Sequence, residues 1–61
     1  MKHEEPNRLL SRPEVTQRFG IPKRFLEMAP ARGVGPKRVM VGRLVRYRLC
    51  DVEAWIEENR L

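Results

Sequence analysis

Arg38-Val39-Met40-Val41-Gly42-Arg43-Leu44-Val45-Arg46-Tyr47-Arg48-Leu49 sets four arginines among apolar side chains around one glycine. In its second half Val45, Tyr47 and Leu49 alternate with Arg46 and Arg48, the period of two of a strand with one buried and one cationic face. Arg38 to Val41 reads as the partner strand, with Val39 and Val41 inward and Arg38 and Met40 outward. Gly42-Arg43-Leu44 supplies a tight connection with Arg43 at its tip. The reading is a cationic β-hairpin.

The charge of the chain is concentrated there. Of the formal net +5, residues 1 to 10 contribute zero, residues 11 to 30 contribute +2, residues 31 to 48 contribute +6 and residues 49 to 61 contribute −3. Between Arg32 and Arg48 stand six basic side chains and no acidic one. That asymmetry points to a polyanion. Interfacial membrane helices carry their cations on an amphipathic helix, whereas this segment is broken by Gly33, Gly35, Pro36 and Gly42, so nucleic acid is expected rather than a lipid surface.

Before the hairpin, Ser11-Arg12-Pro13-Glu14 has the pattern of a capping box: the Ser11 hydroxyl accepts from the Glu14 amide, Glu14 reaches back, and proline is tolerated in the first turn. A helix from Arg12 to Phe19 follows, with Val15 and Phe19 on one face, Arg12 and Arg18 facing elsewhere, and Gly20 as its stop. Ile21-Pro22 restarts the chain. Lys23 to Ala29 forms a second helix, predicted to end by Pro30, and residues 30 to 36 read as a loop.

After the hairpin, Cys50 to Asn59 is predicted as a third helix. Asp51 and Glu53 favour its positive end, and Val52, Trp55 and Ile56 form an i, i+3, i+4 stripe. Residues 1 to 8 read as a flexible arm, and residues 9 to 61 as the ordered domain. The expected fold is α+β, a small winged helix-turn-helix in the order helix, helix, two-stranded hairpin wing, helix.

The 61 residues make one domain, and a chain this short hides only about 60% of the surface its unfolded form exposes. Phe19, Tyr47 and Trp55 are its large anchors. A deep catalytic pocket is not expected, and no set of converging groups suggests an enzyme. One cysteine, Cys50, and one histidine, His3, cannot supply the four ligands of a structural zinc site or an intrachain disulfide. No metal, cofactor or catalytic residue is expected. No apolar run approaches the roughly 20 residues needed to span a bilayer, no signal peptide is read at the N-terminus, and an intracellular, cytoplasmic chain fits best.

Over Leu9 to about Glu58 the chain resembles the small MerR-like winged-helix domains of phage excisionases, or recombination directionality factors, and the related AlpA-type regulators. The residues carrying the resemblance are Leu9-Leu10-Ser11, Glu14-Val15, Phe19-Gly20-Ile21, Gly35-Pro36, Gly42-Arg43-Leu44-Val45-Arg46-Tyr47 and Asp51-Val52-Glu53-Ala54-Trp55-Ile56. Pro22 stands where the family has a small polar residue opening its recognition helix, and Glu27 and Met28 where it often has Tyr or Arg; both point to a changed target sequence. The resemblance implies a non-catalytic accessory factor in a bacterial host. Such a factor binds several adjacent sites on double-stranded DNA beside a phage attachment site, bends the DNA and steers a phage integrase toward excision. AlpA-type relatives are transcriptional regulators, so that role stays open.

On this reading Lys23, Arg24 and Glu27 are exposed at the start of a recognition helix. Lys23 suits phosphate and Arg24 has the planar fork that matches a guanine edge, with a solvated helix face as the alternative. Arg43 at the tip suits the minor groove, and Lys37, Arg38, Arg46 and Arg48 suit flanking phosphates, though Arg48 could instead pair with Asp51. Arg32 is placed in the loop after the second helix, near the DNA backbone. Ser11 with the first-turn amides could accept a phosphate, and capping alone explains it equally well. Leu26 and Ala29 are placed inside by the resemblance, which leaves Phe25 or Met28 for a thymine methyl group, a neighbouring protomer or the core edge, with core packing favoured for Phe25. The acidic last helix could dock a protein partner or the wing of a neighbouring protomer on DNA, which leaves a protein-interaction adaptor as the second function class.

Overall fold

The computed structural model describes residues 5–60. His3 and the rest of residues 1–4 lie outside the described residues. The element order is β1 (Leu9–Leu10), α1 (Arg12–Phe19), α2 (Lys23–Arg32), β2 (Val39–Val41), β3 (Leu44–Arg48) and α3 (Leu49–Glu58). The fold is α+β, with three helices and a three-stranded antiparallel sheet ordered β1-β3-β2.

α1 begins as its sequence dictates. Ser11 Oγ accepts from the Glu14 amide at 3.3 Å and Glu14 Oε1 accepts from the Ser11 amide at 2.9 Å, closing the capping box. α2 differs from expectation, because it runs two residues past Pro30 to Arg32. A proline removes one ladder donor and crowds the preceding turn. Here it sits near the helix end, where Gly33 donates to the Pro30 carbonyl and Val34 to that of Ala29, both at 3.1 Å, so the last turn is closed without it. Arg32 is therefore a helical residue, not a loop residue.

β1 is too short to show a period and was not foreseen. It pairs with β3, Leu9 opposite Arg48 and Leu10 opposite Tyr47. Segment 5–8, assigned from composition to an arm, is tied down. Arg8 donates to the Glu5 carbonyl, and the carbonyls of Arg8 and Pro6 accept from Leu49 and Cys50 at 3.0 and 2.9 Å. α3 has no side-chain cap, so these two carbonyls satisfy amides that a helix start leaves without partners.

The hairpin corrects the expected register. Val41 faces Leu44, Met40 faces Val45 and Val39 faces Arg46, and facing residues share one side of a sheet. Val39 and Val41 thus lie on the side of Leu44 and Arg46, while Met40 lies on the side of Val45 and Tyr47. The cause is the turn. Gly42 has φ +62° and Arg43 a negative φ, the sign pattern of a two-residue II′ connection. A three-residue connection would have paired Val41 with Val45; one residue of slip moves every side chain to the other face.

The core is Leu10, Val15, Ile21, Leu26, Tyr47, Leu49 and Val52, with Phe19, Phe25, Val45, Trp55 and Ile56 packed at its margin. Phe25 and Trp55 meet with ring centroids 5.5 Å apart, which places Phe25, half-buried, at the margin of the core. Gly35, at φ +90°, comes so close to α2 that a Cβ there would lie 2.7 Å from Ala29 Cβ. That contact lets the chain leave α2 tightly and return toward the sheet.

Leu10 is fully buried, whereas Leu9 is 41% exposed. Leu10→Ala should lose about 2–5 kcal/mol, a large share of the roughly 3–9 kcal/mol available to a domain of this size, and so lower the urea midpoint strongly. Leu9→Ala should shift the urea midpoint only slightly. Equal midpoints for the two variants would contradict the placement of β1.

Candidate nucleic-acid interface

Where the N-terminal ends of α1 and α2 meet the hairpin, a cleft of about 260 Å³ is lined by Ser11, Arg12, Pro13, Lys23, Arg43, Leu44, Val45 and Arg46. Four cations and no acid line it. Of the residues singled out in the sequence it gathers Ser11, Lys23, Arg43 and Arg46. It adds Arg12, which helix periodicity alone had turned elsewhere.

Each side chain has a local reason for its place. Arg12 is the first residue of α1 and its Nε donates to the Tyr47 hydroxyl at 3.4 Å, linking the cleft to the core. Arg46 lies on β3 and its Nη1 donates to the Val45 carbonyl at 2.8 Å. Arg43 occupies the hairpin turn and Lys23 opens α2. The N-cap of α2 is Pro22, which makes no side-chain cap hydrogen bond, so the first-turn amides of α2 add a positive end beside Lys23.

α1 offers less to an anion than its sequence suggests. Pro13 has no N–H, the Glu14 amide donates to Ser11 Oγ, and the Ser11 amide donates to the Glu14 carboxylate. Ser11 acts here as a helix cap. Its neighbour Glu14 also forms an ion pair with Arg8 at 3.8 Å.

The remaining candidates fall into separate places. Arg24 and Arg32 flank Phe25 and Met28 in a second groove of about 250 Å³ along α2, with Pro22 and Ala29. α2's N-terminus is the ridge between the two grooves, because Lys23 lines one and Arg24 the other. Lys23, Arg24, Glu27, Met28, Ala31 and Arg32 form one continuous exposed face of that helix. Phe25 is half-buried and Met28 exposed, so Met28 supplies the apolar surface that one buried stripe cannot absorb.

Lys37 lies elsewhere, sharing a hollow with Asp51, Trp55 and Glu58. Arg48 sits 3.6 Å from Asp51 Oδ2, a Coulombic contact too long for a hydrogen bond; it is the pairing that sequence had left open. Arg38 is exposed just before β2. The basic segment therefore divides, with Arg43 and Arg46 turned to the cleft and Lys37 and Arg48 beside acids of α3. Among the described residues no three His, Cys, Asp or Glu side chains are grouped to hold a metal, and no helix is long and apolar enough to cross a membrane.

The Ser11 amide and hydroxyl, with Arg8 and Arg46 close by, hold the Glu14 carboxyl below its ordinary value of 4.5. A depressed folded pKa gives stability that is present above the unfolded value and lost as pH falls through the folded one. Melting temperature should therefore drop on acidification below about 4.5. Glu14→Gln, which keeps an N3 capping partner, should flatten the curve in that window, and an unchanged curve would remove Glu14 from the acid response.

Comparison with protein-family models, with curated proteins and with solved structures gives no match to this chain.

Proposed function

We propose that the protein is a non-catalytic, winged helix-turn-helix binder of double-stranded DNA, acting as a phage excisionase that bends DNA near an attachment site and directs an integrase toward excision. The observation that carries DNA binding is the cleft in which Arg12, Lys23, Arg43 and Arg46 converge without an acidic lining. Phosphates are the ligands such a set attracts, and the uncapped start of α2 adds amide donors to it. The excisionase role rests on the resemblance of Leu9 to about Glu58 to MerR-like directionality factors.

In the proposed mode α2 enters the major groove with its exposed face. Arg24 and Lys23 lead, Glu27 and Met28 follow, and Arg32 reaches the backbone one further turn along. Arg24 offers the bidentate fork for guanine, and the exposed Met28 offers an apolar contact for a thymine methyl group. Arg43 and Arg46 bring the hairpin, as the wing, onto the adjacent minor groove and its phosphates. A regulator of the AlpA type would use the same surface at a promoter.

A mobility titration on attachment-site DNA and on the promoter of the same element, against random duplex, tests both roles. Cooperative complexes confined to the attachment site are expected, and a single promoter complex would favour the regulator. The logarithmic salt slope should be near −4 to −5 for about five neutralised phosphates. Arg43→Ala should make it shallower by about 1, and Arg48→Ala by less, because Arg48 already faces Asp51. A flat salt response would overturn nucleic-acid binding.

A further inference from the structure

Six large apolar side chains are exposed among the described residues, and three of them, Met40, Val41 and Leu44, fall within five positions at the end of the hairpin. Val41 and Leu44 face each other as the closing pair of the ladder, 46% and 54% exposed. Register places both on one side of the sheet, next to the Gly42-Arg43 turn. The sheet order makes β2 an edge strand. The apolar pair is also not isolated from the charge: Leu44 lines the cleft together with Arg12, Lys23, Arg43 and Arg46.

An apolar pair with cations beside Leu44 and at the adjoining turn selects its occupant by charge. A second copy of the same tip would bring two such sets of cations together, which Coulomb repulsion opposes. Double-stranded DNA fits instead, because phosphates meet the cations while the apolar pair meets the base stack. Size decides what the contact does. Adjacent strands lie about 4.8 Å apart before side chains are added, whereas the minor groove of B-form DNA is about 6 Å wide. The hairpin end enters only if the groove opens. Opening it around inserted apolar side chains unstacks a base step and kinks the duplex toward the major groove.

We propose that Val41 and Leu44 form an apolar wedge that enters the minor groove of double-stranded DNA, so that a single protomer kinks the duplex. The inference rests on the DNA-binding reading above and adds the source of the bend. Flexible pyrimidine–purine steps are its preferred insertion points, since they unstack at least cost. Burial of the wedge is offset by that unstacking cost, so the pair governs shape more than affinity.

Two measurements on one set of proteins test this. Fluorescence anisotropy reports affinity for a duplex unrelated to the attachment site and rich in TA and TG steps, and ligase-mediated circularisation of a duplex of about 100 base pairs, shorter than the persistence length of about 150, reports bending. The wild-type chain should bind and raise circle yield at least about tenfold. Val41→Ser/Leu44→Ser should fold, because both positions are exposed, and at protein concentrations that saturate the duplex it should lose the circularisation gain. Leu44→Met should retain it.

Undiminished circularisation by the double serine variant, or binding by wild type with no gain, would overturn the wedge and leave DNA binding standing. No binding of the duplex by wild type in low salt would overturn both. A phosphatidylglycerol vesicle arm covers the other anionic partner. Vesicle binding that is lost in the double variant, with no gain in circularisation, would assign the pair to lipid and overturn the proposal.

Discussion

The pairing of Leu10 with Tyr47 fixes more of this molecule than any other contact. Both side chains are buried, at 0% and 2% exposure, and Tyr47 belongs to the strand in the middle of the sheet. Setting Leu10 against it fixes where the chain enters α1 two residues later. It also brings the Pro6 and Arg8 carbonyls onto the first amides of α3. β3 passes into α3 without a loop, so the N-terminal segment caps the helix that the central strand becomes. The Tyr47 hydroxyl then takes a hydrogen bond from Arg12, which carries the order of the core out to the wall of the cationic cleft.

Charge is sorted by the same frame. Asp51 stands beside Arg48 and, with Glu58, shares a hollow with Lys37, while Glu14 is committed to the cap of α1. Those placements leave Arg12, Lys23, Arg43 and Arg46 around one cleft without an acid among its lining residues, with Glu14 just outside it and near enough to feel the charge of Arg46. Like charges a few ångströms apart repel by roughly 1 kcal/mol per pair in water, less in salt. A domain worth only a few kcal/mol feels that repulsion. A bound polyanion removes it and, by mass action, stabilises the folded chain. On the DNA-binding reading, stability and binding are therefore coupled through these four side chains.

Much of this was legible in the chain because it rests on local rules. Ser11 and Glu14 name a capping box whatever surrounds them, Val52 with Trp55 and Ile56 names the inner face of α3, and the alternation of Val45, Tyr47 and Leu49 names a strand. What escaped depends on things that local pattern does not carry. A two-residue strand such as Leu9-Leu10 has no period and exists only through its partner. Gly42-Arg43-Leu44 admits a turn of two or three residues, and that single choice moved Val39 and Val41 to the other face and exposed the closing pair. Pro30 reads as a stop, yet the chain beyond it closes one more turn through Gly33 and Val34. Arg12 was missed because its helix face was judged within α1 alone; its neighbour Ser11, already singled out, was the available signal. Lys37 and Arg48 look like their basic neighbours in sequence and differ only in having α3 acids beside them.

The size of α2 limits what such a chain can read. Ten residues rise about 15 Å, the length of four to five base pairs at 3.4 Å each. On the DNA-binding reading its exposed face would bring Arg24, Glu27 and Met28 to base edges with Lys23 beside them, and each good contact discriminates by about 1–3 kcal/mol. Against a millionfold excess of competing sites a binder needs about 8 kcal/mol at 1.4 per decade. A single α2 falls short of that sum once solvent-exposed lysine and methionine contacts are discounted. On the DNA-binding reading the deficit has two physical sources of repair. One is a neighbouring protomer on an adjacent site, for which the acidic outer face of α3 and the basic hairpin are electrostatically matched. The other is sequence-dependent deformation, in which bending a short site costs about 1–6 kcal/mol and differs between steps the protein never hydrogen-bonds. On that reading a hairpin end that carries both arginine and apolar surface would couple these sources, because each kink it imposed would also set the angle at which the next protomer meets the helix.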